Sequence, residues 1–209
     1  MLVRALAALA LLVAGCERSP LDTHRAMTEQ VLQRRGAPDF ADASTAAYAA
    51  IRHTPSGMLC VLPADGAFEF DVFPASAVNA GAQCSFSAGE MATGWVAVRF
   101  SEPTTLDAAF ASGVAQMTNG LQSQVWSGQP SEADRSSPEG LPHYRIHRVE
   151  AEIGGARRYL RLAMSEKDGW YLQQIVSAPL AEAEAAERQA GEVWRTGLRA
   201  FAEASRETP

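Results

Sequence analysis

The chain has 209 residues, and its 18 Lys+Arg against 24 Asp+Glu give a net charge of −6, a size that suits one ordinary domain with short flanking segments. A hydrophobic fraction of 47% with 20% charged residues is enough to build a core, which excludes a globally disordered chain. The acidic balance, with a pI near 5.3, excludes a nucleic-acid binder, whose affinity would rest on neutralising phosphates. Lys167 is the single lysine among 17 arginines, which reads as coding bias and not as chemistry.

Residues 1–15 carry one cation, Arg4, followed by the apolar run Ala5 to Gly15. That run is too short to span a bilayer, which takes about 20 residues, and fits the core of a secretory signal. The string Leu12-Val13-Ala14-Gly15-Cys16 resembles the lipobox of bacterial lipoproteins. The resemblance implies that Cys16 becomes the acylated first residue and holds the protein on a membrane. A plain secretory signal cut near Gly15 is the alternative. Glu17, and not an Asp, follows the cysteine, which tilts the expected location toward the outer membrane over the inner. With Cys16 acylated, Cys60 and Cys84 remain. An oxidising envelope favours a disulfide between them over two buried thiols or a catalytic cysteine.

The expected organisation is a signal peptide over 1–15, a lipidated tether over 16–20, and a short helical segment over 21–56. An α+β domain over 57–204 and a tail over 205–209 follow. Leu21 to Arg35 reads as a helix, with Asp22 or Thr23 as its cap and Met27, Val31 and Leu32 as a partial stripe. Ala-rich Ser44 to Arg52 reads as a second, surface helix. After the breaker Thr54-Pro55-Ser56-Gly57 come strands: Met58 to Leu62, the alternating Ala67 to Phe73, Cys84 to Ser87, and Gly94 to Phe100. Leu106, Phe110, Val114, Met117 and Leu121 then recur at helical spacing, capped by Thr104 or Thr105, and place Phe110 in the core. The Pro-, Gly- and Ser-rich stretch 127–142 reads as a loop. A meander of Tyr144 to Ile153, with a bulge between Ile146 and Val149, Arg158 to Met164 and Trp170 to Ser177 follows. Last comes a helix from Pro179 to Ala204 whose buried face is Ala183, Ala186, Ala190, Trp194, Leu198 and Phe201.

The order of strands, helix, strands and helix implies an α+β fold, an antiparallel sheet with two long helices packed on it and short N-terminal helices ahead of it. This order over 57–204, with a terminal helix ending in an aromatic (Trp194 to Phe201), resembles the Mog1/PsbP-like α/β/α sandwich. The stretch Arg52-His53-Thr54-Pro55-Ser56-Gly57-Met58-Leu59-Cys60 resembles one found in uncharacterised exported proteins of alphaproteobacteria and implies no activity.

Nucleophile elbow, zinc, Walker and dinucleotide motifs are all missing from the sequence. His143 and His147 are the best metal candidates. On a strand they would lie about 13 Å apart, too far to share an ion, so they read as solvent-facing. Glu182, Glu184, Glu187 and Glu192 read as a solvated helix face. Arg157 and Arg158 read as surface decoration that could hold an anion, and Trp95, Trp126 and Trp170 read as packing residues. The functional expectation is a non-enzymatic envelope domain, tethered to the membrane through Cys16, that binds an envelope protein or cell-wall partner and takes no cofactor. A lipoprotein with a small-molecule or lipid pocket between sheet and helices is the alternative, and an enzyme built from scattered residues ranks third.

Overall fold

The computed structural model describes residues 18–35, 38–73, 79–135 and 140–204. Cys16, the expected signal segment over 1–15 and the expected tail over 205–209 lie outside them. The chain opens with α1 (Pro20–Arg35). Ser19 caps it, its Oγ accepting from the Asp22 amide at 3.2 Å and donating to the Asp22 carboxylate at 2.7 Å. Pro20 then fills the first helical position, where no N–H is needed. Three short antiparallel strands follow, β1 (Phe40–Asp42), β2 (Ala49–His53) and β3 (Leu59–Leu62), in the order β1-β2-β3. Met27, Val31 and Leu32 of α1 pack onto the core, and buried Thr28 ties the helix to β1 through the Asp42 carboxylate at 2.7 Å.

The second expected helix, Ser44 to Arg52, does not form. Asp42, Ser44 and Thr45 turn their side-chain oxygens onto the amides of Ser44, Ala50, Ala47 and Tyr48, which makes a polar loop in place of a helical turn. The alanines then enter β2, where Ala49, Ala50 and Ile51 are all buried, so this segment lies in the core and not on the surface.

The main sheet has seven antiparallel strands, β4 (Ala67–Phe73), β5 (Asn79–Ala88), β6 (Met91–Phe100), β7 (Ser123–Val125), β8 (Tyr144–Ile153), β9 (Ala156–Lys167) and β10 (Trp170–Pro179). Their spatial order is β4-β5-β6-β10-β9-β8-β7. Pairing of β8 with β9 runs without interruption from Tyr144↔Ser165 to Ile153↔Ala156, so the bulge expected between Ile146 and Val149 is absent. The phase shift seen there reflects Arg148, a charged residue on a buried face.

Two helices cover opposite faces of this sheet. Thr105 caps α2 (Leu106–Thr118), accepting from the Ala108 amide at 3.2 Å. Its closest approach to the sheet is through small residues: Ala109 is its one fully buried side chain, and a Cβ on Gly113 would sit 3.1 Å from Leu162 Cδ2. The larger stripe residues are half-buried: Leu106 and Phe110 pack against Val98, Met164 and Tyr171, Met117 and Leu121 against Val149 and Leu160, and the Arg145 guanidinium lies 5.7 Å from the Phe110 ring centre. The stripe thus packs on the sheet as expected, but Phe110 is half-buried and not a core residue. A four-residue helix, α3 (Glu132–Arg135), lies in the long connection to β8.

On the other face, after a 3-10 turn at Leu180–Glu182, lies α4 (Ala183–Ala204). Ala183, Ala186, Ala190, Trp194, Leu198 and Phe201 are all buried, as the periodicity implied. Trp194 stacks on Trp95 of β6 at 5.6 Å, close enough that a Cβ on Gly197 would collide with the Trp95 ring at 2.6 Å. The three-stranded sheet packs beside α4, and the Cys60–Cys84 disulfide joins β3 to β5 across a Cα separation of 6.2 Å. Among the described residues no helix is long and apolar enough to cross a membrane.

Candidate functional site

The stretch His53 to Cys60 is the hairpin joining β2 to β3. The Met58 and Gly57 backbone groups close it onto His53, and Gly57 takes φ +76° with no room for a Cβ beside Ala204. The His53 ring is buried between Phe40 and Trp170, with Nδ1 2.7 Å from Ser56 Oγ. Ser56 Oγ also accepts from the Met58 amide at 3.2 Å, so the pair staples the turn. Burial strips the imidazolium of its hydration and lowers the His53 pKa to about 4, with the Asp39 carboxylate only partly opposing.

The concentrated chemistry lies under α4. Arg148 on β8 and Arg161 on β9 are directly opposite one another, a like-charge pair that would repel on its own. Two carboxylates neutralise them, Asp134 from α3 and Glu187 from α4. Glu187 Oε1 accepts from Arg148 Nε at 2.8 Å and from the Ser131 amide at 2.9 Å. Its Oε2 accepts from the Tyr159 hydroxyl and lies 3.3 Å from Arg161 Nε. Asp134 accepts from Arg148 Nη2 at 2.6 Å and from Arg161 Nη2 at 3.1 and 3.2 Å. Arg161 also donates to Gln174, which in turn donates to the Ala190 carbonyl of α4.

Arg161 and Glu187 are wholly buried, and Arg148 retains 15% of its side-chain exposure. Burial alone would raise the Asp134 pKa, yet the two guanidinium groups outweigh it and hold the carboxyl below its usual range. Burial and the Glu187 carboxylate push the Tyr159 hydroxyl far up, so it stays a hydrogen-bond donor. The four charges cancel. The cluster locks α3 and α4 to β8 and β9.

Glu187 is therefore no part of a solvated face, which corrects the expectation for it. The signal was present: Glu187 is four residues after Ala183 and three before Ala190, inside the buried stripe. Arg157 pairs with Glu150, and Arg158 reaches Ser177 Oγ at 2.8 Å and the Glu90 carbonyl, so both brace neighbouring strands. His143 is exposed just before β8, His147 is half-buried on the α2 side, and among the described residues no group of three or more His, Cys, Asp or Glu is placed to hold a metal. Trp95 and Trp126 are buried, and Trp170 packs on His53 and Arg99.

Arg148 and Asp134 form the floor of an open cleft of about 540 Å³ between α3 and the start of β8. Leu141, Tyr144 and Ile146 make its apolar wall, and Arg135 and His143 stand at its rim. By contrast, the gap between β6, β10 and α4 measures about 10 Å³, room for one water at most.

No protein-family model matches the chain, and no curated protein matches it. Among solved structures, PA94 from Pseudomonas aeruginosa, a protein of unknown function, aligns at 14% identity and a TM-score of 0.27 over 75% of this chain and 94% of its own.

Proposed function

We propose that this is a lipid-anchored domain of the bacterial envelope that binds a partner and carries out no catalysis. One agreement carries the reading: the Leu12–Cys16 box accounts for one cysteine, and the other two are joined as Cys60–Cys84. A disulfide persists where the compartment is oxidising, which is where a lipobox would deliver the chain. The non-catalytic half rests on the buried charges, which pair two positive with two negative groups, and on the His53–Ser56 contact, which is sealed in a hairpin. The placement of α2 and α4 on opposite faces of one antiparallel sheet supports the Mog1/PsbP-like likeness. Acylation at Cys16 would leave the folded body on a short tether, and two or more acyl chains anchor stably where one does not.

The test is fractionation. Cys16→Ser should move the protein from membranes to the soluble periplasmic fraction and abolish incorporation of a palmitate analogue. Unchanged membrane partitioning and labelling would overturn the anchor.

A further inference from the structure

The cleft between α3 and β8 is lined by two arginines, one acid and the apolar side chains of Leu141, Tyr144 and Ile146. Its floor is Arg148, whose guanidinium is clamped on two edges: Nε by Glu187, and Nη2 by Asp134 and Glu187. No described residue accepts from the remaining Nη1, and Arg148 keeps its 15% exposure on this side, as a lining residue of the cleft. Asp134, the acid at the floor, already accepts three hydrogen bonds from the two arginines. Of the charged groups in its floor, Arg148 thus keeps an open donor edge while the acid is already engaged. Arg135 adds an exposed second cation at the rim, outside the buried pairs. Tyr144 and Ile146, half-buried and packed onto the core, supply an apolar wall.

We propose that this cleft binds an organic oxyanion, a phosphate or carboxylate group carried on an apolar body, with Arg148 and Arg135 holding the anion and Tyr144 and Ile146 the body. The volume of about 540 Å³ falls within the range of small-molecule sites. The Arg148 side chain is ordered before the ligand arrives, so most of the rotamer cost of fixing an arginine on an anion is already met by the fold. A guanidinium with a free amino edge, in a partly desolvated setting, is suited to an oxygen anion. The proposal rests on the reading of the chain as a binding domain and is independent of its anchor.

The experiment titrates the full chain in detergent with phenyl phosphate, by calorimetry and by the NMR signal of the His143 ring, assigned with His143→Gln. Expected is saturable binding that shifts the His143 signal, with inorganic phosphate and benzyl alcohol each weaker by about tenfold or more. Arg135→Gln should weaken phenyl phosphate by about threefold or more, and Arg148→Lys by about tenfold or more. Arg135 lies outside the buried pairs, so its variant keeps the test decisive if Arg148→Lys does not fold. Dihexanoyl phosphatidic acid below its micelle concentration, if bound tighter than phenyl phosphate, assigns the anion to a lipid headgroup; the reverse order assigns it to a soluble compound. Either order supports the site. No saturable binding up to about 10 mM, or unchanged affinity in Arg135→Gln, overturns it. The membrane release of Cys16→Ser is read separately, so either idea can fail alone.

Discussion

Replacing Glu187 by alanine removes the one group that touches both arginines, the tyrosine and the α3 backbone. The carboxylate accepts from Ser131, Arg148 and Tyr159 and pairs with Arg161 at 3.3 Å. Its loss leaves two guanidinium groups sharing Asp134 alone, one of them with no exposure to water. Breaking a buried ion pair from one side typically costs about 3 to 5 kcal/mol, because the surviving charge stays buried. The Tyr159 hydroxyl and the Ser131 amide are orphaned as well, at about 1 to 3 kcal/mol each if nothing replaces the acceptor. These terms share partners and do not add, so a total of about 4 kcal/mol is expected. That is a large share of a domain stability of about 5 to 15 kcal/mol, and at about 2 to 4 °C per kcal/mol the Tm should fall by roughly 8 to 16 °C. Glu184→Ala, three residues away and exposed, should shift stability by less than about 0.5 kcal/mol. Urea melts of both variants followed by circular dichroism provide the comparison. A Glu187→Ala loss below about 1 kcal/mol, equal to that of Glu184→Ala, would refute the claim that the network holds α4 to the sheet.

His53 titrates near 4 in the fold and near 6.5 when unfolded, so below pH 6.5 the unfolded chain binds the extra proton. Stability should therefore fall by up to about 1.4 kcal/mol per pH unit between those values, and urea melts of His53→Gln across this window should lose that slope. Reducing Cys60–Cys84 should cost about 3 to 4 kcal/mol by freeing the unfolded chain, while the mass of the untreated protein shows the loss of two hydrogens; free thiols in the native protein would contradict this. Phe110→Ala should cost about 1 to 2 kcal/mol, less than the 3 to 5 of a core aromatic, because the ring is half-buried beside α2; a melt showing the larger figure would restore it to the core.

What was legible in the sequence follows from which interactions leave a periodic trace. The alternation of Phe68, Phe70 and Val72, the hairpin turns at Gly154-Gly155 and Lys167-Asp168-Gly169, and the six-residue buried face of α4 are local patterns, and all appear in the structure. The segment leading into β2 departs from the helix its alanine content favours because side-chain oxygens at Asp42, Ser44 and Thr45 capture the backbone amides. For α2, spacing gave the helix and its sheet-facing stripe but not the depth of burial, since the closest approach is made by Ala109 and Gly113, which carry little hydrophobic weight. The charged cluster is a different case. Taken singly, Arg148, Arg161, Asp134 and Glu187 each belong to the residue types that stay at the surface. Arg161 nonetheless sits inside Tyr159 to Met164, an otherwise apolar run, and Glu187 inside the alanine stripe of α4. Two misfits of opposite sign, each in a segment that must be buried, each need a partner, and contact between the segments supplies part of it, at 3.3 Å between Arg161 Nε and Glu187. An unpaired charge at either position would cost several kcal/mol, so each exception called for partners, but Asp134 and Arg148, which supply most of them, sit in segments whose sequence gives no sign of burial.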